Sequence, residues 1–197
     1  MASNKNIVDV SDKLVKIFST LITNIIPSFE VLRKEYIPYG LKPHTRSICW
    51  LAEQVILQNV KKNLHRLEAA EYSDPISDIS PWDAKLKLRT ILNDEDIFIN
   101  IKVTDHSKPI RKNDIASVKT LLNFYRHNIN SLLFYVVIKL RFNDNKIDFI
   151  GPPVVRYYPW IKDFVVNPRN EHIQSIYEVE NEVRSTEEFI RILKTKA

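Results

Sequence analysis

Three side chains in one stretch, Ser80 to Thr104 (SPWDAKLKLRTILNDEDIFINIKVT), have the chemistry to hold a cation and a phosphate together. Asp83 offers a charged oxygen ligand, Asn100 an amide oxygen, and Lys102 a positive charge for an anionic substrate. The stretch reads as two strands joined by the polar turn NDED, with Asp83 entering the first strand and Asn100-Ile101-Lys102 inside the second. Strand side chains alternate, so Asn100 and Lys102 share one face while Ile99, Ile101 and Val103 take the other. An asparagine among isoleucines is a poor strand former, which singles out Asn100. An amide brings no charge, so a second carboxylate has to come from elsewhere.

Two are positioned to supply it. A long helix is expected from about Thr45 to Ala70, with Ile48, Leu51, Ala52, Val55 and Ile56 on its apolar face and Glu53 at the edge of that face. After the hairpin, the basic loop DHSKPIRKND leads into IASVKTLLNFYRH, a second expected helix capped by Asn113 or Asp114. Cys49 falls in the apolar run of the long helix, where a core thiol is expected.

The flanking segments supply the frame. Residues 1–10 are expected to be disordered. An apolar stripe at Leu14, Ile17, Phe18, Leu21 and Ile25 predicts a first helix with Ser11 as its cap, ended by Pro27, and a short helical piece is expected from Phe29 to Tyr36. SLLFYVVIKLRF reads as a buried strand, FNDNKIDF as a hairpin into another, and GPPVVRYYPWI as a stiff extended or turn segment. A last strand near Ser175 to Val179 precedes a helix whose capping box is Ser185 and Glu188. Helices, two antiparallel strands, helix, strands and helix in that order predict a single α/β domain over residues 1–197, a mixed sheet flanked by helices.

Composition narrows the chemistry. With two glycines in 197 residues, the glycine-rich phosphate loops of dinucleotide and P-loop proteins cannot be built. One cysteine forms no internal disulfide, and the five histidines show no ligand spacing, which leaves no zinc site. No apolar run approaches a membrane span and no signal-peptide pattern opens the chain, so a cytoplasmic protein with no membrane partner is expected. A net charge of +5 suits a polyanionic partner.

The hairpin with Asp83 and the Asn100-Ile101-Lys102 triplet resembles the PD-(D/E)xK nuclease superfamily, to which type II restriction endonucleases belong. Here Trp82 separates Pro81 from Asp83, and Asn100 stands where the family has an acid. FINIKVTDHSKPIRKNDIASVK resembles the asparagine variant of the motif, in which an aspartate at the start of the next helix, here Asp114, joins the site. The resemblance covers a catalytic core of about residues 45–142. It implies a restriction-endonuclease-like fold, Mg²⁺ held by Asp83, Asn100 and Asp114, and Lys102 beside the attacking water. A glutamate on the preceding helix often joins such sites, so the resemblance makes Asp114 the first candidate for the second carboxylate and Glu53 the second.

The implied function is hydrolysis of phosphodiester bonds in double-stranded DNA by a homodimeric type II site-specific deoxyribonuclease. The alternatives are a structure-specific repair or recombination nuclease of the same superfamily and a catalytically inactive DNA-binding protein. Expected DNA contacts are Lys108, Arg111, Lys112 and Asn113 in the basic loop, and Arg156 and Tyr157 in the basic-aromatic segment after GPP.

Overall fold

The computed structural model describes residues 4–31, 45–77, 80–89, 95–107, 113–143 and 145–196, with Asn113 described by its backbone alone. The chain begins with helix α1, Asn4–Thr20, which closes in a π-helical turn at Leu21–Ile25, followed by the short strand β1, Ser28–Glu30. Helix α2 spans Thr45–Lys62, and strands β2 (Ala69–Ser73), β3 (Ala84–Leu88) and β4 (Ile97–Asp105) follow. Strand β5 (Asn113–Ser117) runs straight into helix α3 (Val118–His127), and β6 (Leu132–Asn143) and β7 (Lys146–Tyr157) form the longest hairpin. A 3₁₀ turn at Tyr158–Trp160, strands β8 (Val165–Val166) and β9 (His172–Ser175), and helix α4 (Thr186–Lys196) complete it.

Six strands form one sheet in the order β1-β7-β6-β4-β3-β2, and three form a second in the order β5-β9-β8. The large sheet is mixed because β4 and β6 run parallel, from Ile97 against Leu132 to Asp105 against Leu140, while its other pairs are antiparallel. A parallel pair needs a long crossover, and β5 with α3 provides it. Both faces of the large sheet are covered, which explains why β6 is a continuous apolar run. Ile97, Ile99, Ile101 and Val103 pack with Ile48, Ala52, Ile56 and Val60 of α2 and with α1; Phe98, Leu133, Tyr135 and Val137 pack with α3 and α4 on the opposite face. In β7, Gly151 has φ +65°, and Gly151-Pro152-Pro153 falls in the register shift between Val137 and Lys139 of β6. A left-handed residue and two residues without N–H groups suit a bulge.

Several local expectations change. Helix α1 starts before Ser11, and Ile7 and Val10 are buried, so residues 4–10 are part of the core rather than disordered. Phe29 lies in strand β1, paired with Ile147, not in a helical piece. The last strand lies at His172–Ser175, not Ser175 to Val179. Asp114 lies in strand β5, not at a helix start, because Ile115 and Ala116 are buried as sheet residues and the helix is delayed to Val118. Helix α2 stops at Lys62 and the chain turns into β2, which the sequence did not announce.

Candidate active site

The site forms where the β3–β4 hairpin opens. Ala84 pairs with Ile99, and the Asp83 N–H donates to the Ile99 carbonyl at 2.7 Å, but no strand pairs with that side of β4 beyond this point among the described residues. Backbone groups on the open edge need partners. Two carboxylates supply them: the Ile101 N–H donates to Asp83 Oδ2 at 2.7 Å, and the Val103 N–H donates to Glu53 Oε1 at 3.1 Å. Asp83 comes from the chain entering β3 and Glu53 from α2. One strand edge thereby draws two acids from separate elements to alternate residues of β4.

Electrostatics ties them to Lys102. Burial pushes the Glu53 carboxyl above its ordinary value; the Lys102 charge and the Val103 hydrogen bond pull it back, and the Asp83 charge pushes it up again. Burial likewise raises Asp83, against the opposing pull of Lys102 and the Ile101 hydrogen bond. Lys102 therefore acts on both carboxylates, although no ion pair within 4.0 Å joins it to either one among the described residues.

Asn100 is 5% exposed, and its Nδ2 donates to the Pro81 carbonyl at 2.9 Å. That bond fixes the amide orientation, since a flip would set two oxygens against each other. The other amide atom, Oδ1, is buried with no hydrogen-bond partner among the described residues. An orphaned buried acceptor is uncommon in a folded protein and calls for a reason. Trp82 packs edge-on against Phe98 at 5.3 Å between ring centroids, which anchors the segment that carries Pro81 and Asp83.

The structure thus brings Asp83, Asn100, Lys102 and Glu53 to one region. It places Asp114 on the second sheet, where both of its carboxylate oxygens accept side-chain hydrogen bonds, one from Asn170 Nδ2 at 3.0 Å and the other from Gln174 Nε2. Of the two candidate acids, Glu53 is the one that shares the site's backbone and charge contacts among the described residues. Of the expected DNA contacts, Lys108, Arg111 and Lys112 lie outside the described residues. Tyr157 is 6% exposed and its hydroxyl lies 3.2 Å from Thr186 Oγ1, which makes it a core residue rather than a surface contact. Arg156 is half-buried, donates to the Val155 carbonyl at 3.2 Å, and has its pKa lowered by burial. Tyr72 on β2 went unnoticed in the sequence because β2 did: burial, its hydrogen bond to Asp74 and the Asp83 charge all raise its hydroxyl pKa.

No protein-family model matches the chain, and no curated protein matches it in sequence. Its backbone, however, is similar to that of the NlaIV restriction endonuclease: the two superpose over 92% of this chain and 78% of that one, with a TM-score of 0.57 and 12% sequence identity. The fold is restriction-endonuclease-like. At that identity the likeness concerns the path of the chain and carries no residue roles with it.

Proposed function

We propose that the protein is a divalent-metal-dependent endodeoxyribonuclease acting on double-stranded DNA, in its specific form a type II restriction enzyme. The observation that carries this reading is the pair Asp83 and Glu53, gathered on the open edge of β4 beside Lys102 in a restriction-endonuclease-like fold.

The donor set fits a hard cation. Asp83 and Glu53 are raised by burial and so favour a positive partner when ionised, and Asn100 Oδ1 is a buried acceptor in want of one. All three are oxygen donors, the class that Mg²⁺, Mn²⁺ and Ca²⁺ prefer. Asp83, Asn100 and Glu53 would hold the ion. When bound, it supplies Lewis-acid polarisation of the phosphate and a lowered pKa for attacking water. Lys102 contributes a fixed cation on the Asn100 face of β4, where it orients the nucleophile and offsets the charge that grows on the phosphoryl oxygens. Two ionised acids against one lysine leave the ion-free site net negative, so a bound divalent cation would be what makes it receptive to a DNA phosphate.

Assembly as a homodimer on a two-fold DNA site belongs to the same proposal, because a palindrome is met by two related sites. Incubation of a long DNA of known sequence with Mg²⁺ or Mn²⁺ tests the reading. Discrete fragments are expected; intact DNA under both metals overturns it, and nicking confined to junctions or damaged sites replaces it with a repair-type nuclease.

A further inference from the structure

The second sheet lies outside the catalytic edge yet shares its scaffold. Ala116 of β5 and Ile173 of β9 pack into the same core as α3 and β6, so one face of this sheet is fixed to the domain. On its other face Asp114 and Val165 are exposed and His172 and Gln174 half-buried among the described residues. Asp114, Gln174 and Val165 form one cross-strand row there, with Gln174 paired to both neighbours, and His172 lies on the same face two residues along β9. The β8–β9 ribbon ends in the turn Asn167-Pro168-Arg169-Asn170-Glu171, closed by Asn167 N–H to the His172 carbonyl at 2.8 Å and Glu171 N–H to the Asn167 carbonyl at 2.9 Å.

Side chains at this tip are held in place. Asn170 donates through Nδ2 to Asp114 at 3.0 Å and accepts the His172 N–H at 3.2 Å on Oδ1. Gln174 donates through Nε2 to the other Asp114 oxygen. Arg169 is exposed, its N–H bound to Asn167 Oδ1 at 3.0 Å and its guanidinium without a partner among the described residues. Two non-glycine residues with left-handed backbones, Asp163 (φ 51°) and Glu171 (φ 54°), precede β8 and β9. Held conformations of that kind occur where a segment has to present a defined shape.

The geometry points to the β8–β9 ribbon as a base-reading element that enters the DNA major groove, with Arg169 and Gln174 as specificity-determining residues and Asp114 and Asn170 as their support. It rests on the nuclease reading above for its substrate. A two-stranded ribbon fits the major groove, and arginine and glutamine carry the side-chain patterns that match guanine and adenine edges there. Charge favours base contact over phosphate contact at this spot. Lys162 and Arg169 are offset by Asp163 and Glu171, so the ribbon itself adds little unspecific attraction. That attraction is left to the rest of a chain of net charge +5, including the Lys108–Lys112 segment (KPIRK) that joins β4 to β5.

The test is selection of bound duplexes from a random-sequence DNA library in Ca²⁺, with the parent chain, Arg169→Ala and Gln174→Ala. The parent is expected to enrich a short motif. Each variant is expected to lose discrimination at one or two base positions by about tenfold or more while other positions keep theirs. Arg169 is a surface side chain, so its variant decides the matter even if Gln174→Ala fails to fold. A parent that enriches no motif overturns the proposal. So does an Arg169→Ala variant that binds all sequences more weakly to the same degree, the mark of a phosphate contact. A parent that enriches a motif in Ca²⁺ but cuts nothing in Mg²⁺ overturns the nuclease reading and leaves this one standing.

Discussion

Asp83 and Glu53 are carboxylates whose ionised forms the fold holds at a cost. Burial raises both above their ordinary values of 3.8 and 4.5. For an acid raised on folding, the stabilising contribution is complete below the ordinary value and is lost as pH rises through the folded-state value. Asp83→Asn and Glu53→Gln keep an acceptor for the Ile101 and Val103 N–H groups and remove the charge. In metal-free protein each variant is therefore expected to melt above the parent at about pH 8 and with it at about pH 3, by calorimetry. A variant that melts below the parent at the higher pH would contradict the burial argument. Activity should move the opposite way: Lys102→Ala is expected to slow Mg²⁺-dependent cleavage by roughly 10²–10³-fold, while DNA binding in Ca²⁺ persists in a gel-shift assay. Glu53→Gln should raise the metal concentration needed for half-maximal cleavage. Asp114→Asn should leave that concentration where it was, and the opposite pattern would return Asp114 to the site.

At the scale of elements, β4 is organised by contrast between its two halves. Up to Asn100 it is a paired central strand; from Ile101 on, the N–H groups of Ile101 and Val103 on its open edge are met by Asp83 and Glu53. Helix α2 sits against β4, which is what carries Glu53 to that edge. Helix α4 closes the opposite core with Phe189 and Leu193, both fully buried, and begins with Ser185 Oγ accepting the Glu188 N–H at 3.1 Å. Ser185→Ala should cost about 1 kcal/mol in urea unfolding, the usual loss for a helix cap. Phe189→Ala should cost about 3–5 kcal/mol, because it empties a site packed by Tyr125 and Phe164.

For the whole molecule, the proposed metal site would link metal binding to stability. An ion that binds the folded site and not the unfolded chain stabilises by about 2.7 kcal/mol at a hundred times its dissociation constant. In a domain of this size that corresponds to a rise in melting temperature of roughly 5–11 °C. Mg²⁺ titration should show such a rise in the parent and a much smaller one in Asp83→Asn. Equal rises in both would move the ion elsewhere.

Much of this was legible before any folding was considered. The alternation of β4, the β-branched run of β6, the Ser185 cap and the pairing of Asp83 with Lys102 through one hairpin are local patterns, set by periods of two and 3.6 residues and by turn chemistry. The short strands β1, β2, β5 and β8 were not legible, and β9 was placed too far along the chain, because most of them owe their state to a partner distant in sequence rather than to an adjacent hairpin turn. That is why Asp114 read as a helix cap. The choice between Glu53 and Asp114 depended on which side chain met the unpaired N–H of Val103, a contact fifty residues apart in the chain. Residue types set the chemistry on offer, and the opening of one sheet edge brought Asp83 and Glu53 together on β4.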